Sequence, residues 1–113
     1  MDCIFCGIAA GKVPADIVYQ DELVTAFRDI RPQAPTHILV IPNAHLESVS
    51  DLQSEHNGLV GHMVAIANQL AVHDGIDQTG YRLVINRGEH GGQSVFHLHV
   101  HLLGGRWMRW PPG

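Results

Sequence analysis

Residues 97–102 read His-Leu-His-Val-His-Leu, a strict alternation of polar and apolar side chains. A period of two is that of a β-strand, in which successive side chains point to opposite faces of a sheet. We therefore predict a strand over residues 95–103 that turns three imidazoles to one face and apolar side chains to the core. The core side of this strand would consist of Phe96, Leu98, Val100 and Leu102.

The rest of the chain is divided into short elements by turn-forming residues. Apolar patterning predicts a short helix over residues 3–10 capped by Gly11, a hairpin of residues 17–19 and 23–27, a buried strand over 37–41, a long helix over 54–73 with Ser54 as its N-cap, a strand over 81–86 and a glycine-rich loop over 87–93. These elements predict an α+β fold with a mainly antiparallel sheet, one long helix and a short N-terminal helix.

Length and charge narrow the class of protein. The chain has 113 residues, which predicts one domain over residues 1–113. Seven basic and eleven acidic residues give a net charge of −4, which argues against a nucleic-acid-binding surface. No apolar run is long enough to span a membrane and no secretory signal is evident, so we expect a cytoplasmic protein with no membrane partner.

The histidine row admits two chemistries. His97 and His101 would lie about 13 Å apart on a straight strand, too far to share one metal ion, and no carboxylate follows Glu89 to complete a catalytic metal site. A neutral imidazole is instead a good nucleophile toward phosphorus near pH 7. The preceding Gly91-Gly92 allows close approach of a phosphate, with Gln93 and Ser94 as donors. The pattern therefore favours covalent phosphorus chemistry.

Residues 92–106 resemble the motif of the histidine-triad (HIT) family, specifically its Hint branch. The resemblance continues through residues 27–42, 80–82 and 110–113, and so covers nearly the whole chain. It implies a HIT-like fold, a homodimer, and hydrolysis of the P–N bond of purine nucleoside 5′-phosphoramidates through a covalent nucleotidyl-histidine. Two alternatives remain open: a dinucleoside polyphosphate hydrolase of the same superfamily, and a nucleotide-binding regulatory module with vestigial hydrolysis.

The resemblance also implies a role for individual residues. His99 would be the nucleophile, with His97 and His101 as orienting and phosphate-binding histidines, and His37 would support His97. Ser94 would lie near the leaving group, Asp29 would hold the ribose, and Asn86 and Gly92 would add contacts to sugar and phosphate. An apolar slot for the base would be formed by Ile4, Phe5, Ile8, Phe27, Ile30 and Leu39. This chemistry would require no cofactor.

Cys3 and Cys6 form a Cys-x-x-Cys pair without a second cysteine pair. Some bacterial HIT proteins bind zinc with such a pair and two histidines, at positions matching His45 and His97, which implies a structural Cys2His2 site. Free thiols and a disulfide remain alternatives. The other four histidines show no partner pattern and are expected at the surface or on helix faces: His56, His62, His73 and His90. The tail with Trp107 and Trp110 is a candidate for reaching the dimer partner's site.

Overall fold

The computed structural model describes residues 2–113. It contains three α-helices, α1 (Ile4–Ala9), α2 (Asn57–His73) and α3 (Gly88–Gly91), two 3₁₀ turns (Val49–Asp51 and Ser54–His56), and five strands, β1 (Ile17–Gln20), β2 (Val24–Arg28), β3 (Thr36–Pro42), β4 (Tyr81–Val84) and β5 (Val100–Gly104). The strands form one antiparallel sheet in the order β1-β2-β3-β5-β4. The predicted α+β fold is confirmed.

The two faces of the sheet are covered by different helices. On one face the strands pack against α2, whose apolar stripe contributes Met63, Ile66, Ala67, Leu70 and Ala71 to the main core. On the other face a smaller cluster joins α1 to the sheet and contains Phe5, Ile8, Phe27, Leu39 and Ile41. All seven residues of β3 are buried, as expected for a central strand covered on both faces. The second face is the one on which the predicted imidazoles gather.

The strand that carries the histidine row begins later than predicted. β5 starts at Val100, and residues 95–99 belong to no strand, with a bend over residues 95–97. The pairing of β3 with β5 ends at Val40 and Val100, and the N–H of Leu98 donates instead to the carbonyl oxygen of Leu46 in a loop (2.6 Å). Leu98 still reaches the core, but Phe96 is 61% exposed, so its assignment to the core was wrong.

Other boundaries shift for local reasons. Residues Ser54–His56 form a 3₁₀ turn, α2 begins after it at Asn57, and Ser54 is therefore not its N-cap. β4 ends at Val84 rather than at residue 86, because Val84 pairs with His101 near the start of β5. The predicted loop over 87–93 contains the single turn α3, whose C-cap Gly92 has a φ of +81°. Within residues 2–113 no helix combines the length and apolarity needed to cross a membrane.

Candidate active site

A pocket of about 330 Å³ opens between α1 and the second face of the sheet. It brings together all six side chains predicted for the base slot, with Asp29, Ser94, His99 and His101. Six further lining residues were not predicted from the sequence: Val13, Pro14, Ala15, Arg28, Arg31 and Val95. Residues 13–15 follow α1, and they line the pocket because of the way α1 packs against the sheet. Sequence periodicity gives no information about that packing.

The protonation of His99 follows from its hydrogen bond. Its Nδ1 lies 2.7 Å from the carbonyl oxygen of His97, and a carbonyl can only accept. The proton of the neutral ring therefore sits on Nδ1, which leaves the lone pair on Nε2. Phe5 contacts the ring edge-on with centroids 5.2 Å apart, and fixes its plane from the α1 side. His99 thus presents an unprotonated nitrogen on a ring that lines the pocket.

His101 is oriented by His37. The N–H of Gln33 donates to Nδ1 of His37 (3.0 Å), so the proton of neutral His37 resides on Nε2. That Nε2 lies 2.9 Å from Nδ1 of His101 and donates to it, which places the proton of His101 on its own Nε2. Among residues 2–113, this Nε2 is the one buried side-chain nitrogen or oxygen with no hydrogen-bond partner. An unpaired buried donor beside a pocket is suited to a ligand oxygen.

Burial keeps these imidazoles neutral. Desolvation, followed by the neighbouring His99 and His37, lowers the pKa of His101 to about 4. Desolvation also lowers the pKa of His37, although the carboxylate of Asp29 opposes that shift. Asp29 Oδ2 lies 3.5 Å from His37 Nε2, while its Oδ1 accepts from the N–H of Arg31 (2.8 Å). His37 and His101 are therefore neutral imidazoles at neutral pH, and the side chain of Asp29 lies next to them.

The side chain of His97 belongs to a different group, which we term the thiol tetrad: Cys3, Cys6, His45 and His97. Nδ1 of His97 lies 3.3 Å from Cys3 Sγ, 3.5 Å from Cys6 Sγ and 3.2 Å from His45 Nδ1. Nε2 of His97 donates to the carbonyl oxygen of Pro42 (2.8 Å), so Nδ1 carries the lone pair. Burial, together with Cys3, raises the pKa of the Cys6 thiol, and burial lowers the pKa of His97.

The thiol tetrad has the dimensions of a tetrahedral metal site. Zinc bonds of about 2.0–2.3 Å to nitrogen and sulfur imply ligand atoms about 3.4–3.8 Å apart. The four atoms lie within 4.8 Å of one another, and the hydrogen-bond-length separations among them are 3.2–3.5 Å. Two soft sulfur and two imidazole donors suit zinc. A second group, Asp29, His37 and His101, is equally compact.

The predicted partner of His37 was wrong. His37 contacts His101 rather than His97, because β5 runs antiparallel to β3 and carries His97 to the opposite end of that strand, next to Pro42. His97 reaches His99 through its backbone carbonyl, whereas its ring lies in the thiol tetrad.

Three other predicted residues do not line the pocket: Asn86, Gly92 and Gln93. Gln93 is buried, and its amide is occupied by the backbone. It donates to the carbonyl oxygens of Glu47 and Val95 and accepts from the N–H of Gly88. Its backbone N–H also donates, to the carbonyl oxygen of Gly88 (3.0 Å), so neither donor of Gln93 is free for a phosphate in this structure, and the residue holds the loop before the histidine row.

Three of the four histidines without a partner pattern in the sequence have a partner in the structure. Nδ1 of His56 accepts from the N–H of Gln53 (2.9 Å), and Nδ1 of His73 lies 3.3 Å from Oδ1 of Asp74. The third, His62, belongs to a larger network. Nε2 of His62, on α2, lies 2.6 Å from Oδ2 of Asp21 in the β1–β2 turn, and the hydroxyl of Tyr19 donates to the same oxygen (2.6 Å). Desolvation opposes these hydrogen bonds, but together they hold the pKa of Asp21 well below its usual range. This network lies outside the pocket, and sequence periodicity offers no signal for it.

Known proteins share the sequence pattern and the fold of this chain. Residues 10–108 match the HIT domain family. Purine nucleoside phosphoramidase from Escherichia coli (strain K12) is 54% identical over 105 residues, covering 93% of this chain and 88% of its own length. Similar solved structures include a HIT family hydrolase from Legionella pneumophila Philadelphia 1, with a TM-score of 0.97 and 49% identity, covering 99% of this chain and 100% of that one. They also include a Zn-bound histidine triad family protein from Mycobacterium smegmatis, with a TM-score of 0.80 and 35% identity, covering 94% of this chain and 76% of that one. The chain belongs to the HIT domain family.

Proposed function

We propose that the protein is a hydrolase that cleaves the P–N bond of purine nucleoside 5′-phosphoramidates, of the adenosine 5′-monophosphoramidate type. The observation that carries the proposal is the pair of ring nitrogens at the pocket: the lone pair on Nε2 of His99 and the unpartnered N–H of His101. A nucleophile beside an unsatisfied donor is the arrangement that attack on a phosphoryl group requires. The phosphoramidase name of the E. coli relative supports the same substrate class.

In the proposed reaction the purine occupies the apolar side of the pocket, with Asp29 accepting from the ribose hydroxyls. Nε2 of His99 attacks the α-phosphorus, the P–N bond breaks, and the leaving amine takes up a proton near Ser94. The N–H of His101 donates to a phosphoryl oxygen, where charge accumulates in the transition state. Water then attacks the phosphorus of the nucleotidyl-histidine and releases the nucleoside monophosphate.

The test is turnover and intermediate trapping in a His99→Ala variant. We expect turnover of adenosine 5′-phosphoramidate to fall by at least about 10⁴-fold, because no covalent intermediate can form, while AMP still binds. His90→Ala is the matched control, since His90 is exposed on α3. Wild-type protein quenched and digested at alkaline pH should carry a nucleotide mass on the peptide containing His99, because the P–N bond of a nucleotidyl-histidine is stable in base and hydrolyses in acid.

Other outcomes would redirect the proposal. Faster turnover of a dinucleoside polyphosphate than of the phosphoramidate would favour the other HIT activity. Nucleotide binding without turnover of either substrate would favour a regulatory binding module. Wild-type rates in His99→Ala would refute the nucleophile.

We further infer that the thiol tetrad holds a structural zinc ion. Four protein ligands would close the coordination sphere, so the ion would hold α1 against the segment before β5 and would not enter the reaction. The Zn-bound relative from M. smegmatis supports the choice of metal. The chemistry at His99 would then require no cofactor.

We also propose a homodimer joined through the sheet. β4 pairs on one side with β5, and in residues 2–113 no strand covers its other edge. The neighbouring tail exposes Trp107 (94%) and Trp110 (82%), large apolar side chains that suit contact with a second copy. Light scattering should give twice the chain's 12.4 kDa; a monomer mass at all concentrations would contradict the proposal. We expect no nucleic-acid or membrane partner and a cytoplasmic location.

A further inference from the structure

The thiol tetrad and the pocket share a stretch of backbone. Cys3 and Cys6 bracket Ile4 and Phe5, and both of these intervening side chains line the pocket. The Phe5 ring also contacts His97 and His99 edge-on, with centroids 5.9 and 5.2 Å apart. A rearrangement of the two sulfur atoms would therefore move Ile4 and Phe5 and change the wall of the nucleotide pocket.

A second connection runs through His97. Both sulfur atoms lie within 3.5 Å of its Nδ1, and its carbonyl oxygen accepts from Nδ1 of His99. The state of the sulfur atoms and the orientation of His99 thus meet in one residue. The ring is anchored on its far side by Pro42, so a loss of the sulfur contacts would free one edge of the ring.

We propose that Cys3 and Cys6 are a site of reversible oxidation by hydroperoxides, and that the resulting disulfide weakens nucleotide binding in the pocket. The second half of this proposal rests on the proposed nucleotide function, whereas the oxidation itself does not. It would make the first turn of α1 a redox-sensitive part of the pocket wall.

The geometry suits a disulfide between these two residues. Cys3 is the N-cap of α1, and the N–H of Cys6 donates to its sulfur (3.3 Å). Cysteines three residues apart at the start of a helix lie on one face, as in the Cys-x-x-Cys pairs that form disulfides elsewhere. Both cysteines are free, and neither is fully buried, so a small peroxide can reach them.

The oxidation of the cysteine pair proceeds in two steps. The sulfur of one cysteine takes one oxygen atom from the hydroperoxide, whose O–O bond breaks, giving a sulfenic acid and an alcohol or water. The second thiol attacks that sulfur, the S–S bond forms and water leaves. The pair has lost two electrons and the hydroperoxide has gained them. A disulfide is a poorer metal ligand than two thiolates, so a bound zinc ion would be released in the same process.

The experiment compares reduced and hydrogen peroxide-treated protein, both zinc-loaded and metal-free. Readouts are the free thiol count, the intact mass, zinc release to a colorimetric chelator and the Kd for AMP by calorimetry. We expect loss of both thiols with a mass loss of two hydrogen atoms, zinc release from the loaded form, and a Kd at least about tenfold higher, with all changes reversed by dithiothreitol.

Cys3→Ala serves as the control, because it retains Cys6 but cannot form the disulfide. Its Kd, whatever its starting value, should not change when peroxide is added. A disulfide that leaves the Kd for AMP unchanged would overturn the coupling, and oxidation to sulfinic acid without a disulfide would overturn the site. If reduced protein binds no AMP, the proposed function fails, while the thiol count and mass still decide whether the pair oxidises.

Discussion

Two compact groups of side chains that could bind a metal lie on either side of His99. They differ in the backbone group that is hydrogen-bonded to one ring nitrogen of a histidine in each group. In the thiol tetrad, Nε2 of His97 donates to the carbonyl of Pro42, so its lone pair faces the other ligands. In the group of Asp29, His37 and His101, a backbone N–H from Gln33 occupies the lone pair of His37, so a proton faces the other members. A metal ion needs a lone pair at that position.

Backbone hydrogen bonds therefore assign the two groups to different tasks. Under the proposed function the thiol tetrad would receive a cation, whereas the imidazoles on the other side of His99 would pass on an oriented proton. The residue types alone do not distinguish these roles, since histidines occur in both groups. What separates them is whether the main chain offers an acceptor or a donor to the second nitrogen of the ring.

Metal content should show the largest difference between the two groups. Cys6→Ala should reduce bound zinc from about one ion per chain to almost none, because a closed site loses one of its four ligands. Asp29→Asn should leave the zinc content unchanged, because Asp29 belongs to the group whose histidine holds a proton. The measurement is metal analysis after dialysis against a weak chelator. Zinc loss of equal size in both variants would break the comparison.

The next effect concerns the oriented proton. His37→Ala should lower kcat by about 100-fold, the usual contribution of a positioned proton donor, since His101 would lose the partner that fixes its tautomer. Zinc content should stay at the wild-type value. His37→Gln, whose amide can still donate to His101, should recover part of the loss. A fall in zinc content with unchanged kcat would show that His37 serves the metal instead.

Acid sensitivity should show the smallest effect. His101 has a pKa of about 4 in the folded chain against about 6.5 when unfolded, so between these values the unfolded state binds more protons. The free energy of unfolding should therefore fall as the pH falls from 7 to 4. We expect His101→Gln to lose several degrees less in melting temperature over this range than the wild type.

This measurement is made on metal-free protein, because protonation of the thiol tetrad would otherwise add its own acid dependence. The lowered pKa values of His37 and His97 act in the same direction, so the slope should decrease without vanishing. An identical slope in both proteins would contradict a neutral, half-buried His101.

Much of the fold can be predicted from the sequence, because buried side chains recur with the period of the strand or helix that carries them. The alternation of Leu98, Val100 and Leu102 and the continuous apolar run of β3 both specify which faces are covered. The exposure of Phe96 could not be predicted, since the same alternation of polar and apolar residues continues there although the pairing with β3 has ended. Periodicity reports which side of the chain faces the core, but not where a neighbouring strand stops.

The candidate site was predictable to the extent that it consists of side chains on one face. The partner of His37 depends on register, since β3 places Leu39 opposite His101 and His37 one step away on the same face. No local pattern encodes that offset. The contacts of Gln93 could not be predicted for a related reason. A polar side chain in a loop is expected to be available as a donor, whereas the amide of Gln93 is hydrogen-bonded to nearby backbone groups.

The pairing of β3 with β5 has a further consequence, which concerns folding. His37 and His101 are 64 positions apart in the chain and meet only across these two strands. Closing so long a loop costs chain entropy that the local β1–β2 hairpin does not have to overcome. The ability to bind a nucleotide should therefore arise together with this long-range pairing, which makes ligand binding a reporter of completed topology during refolding.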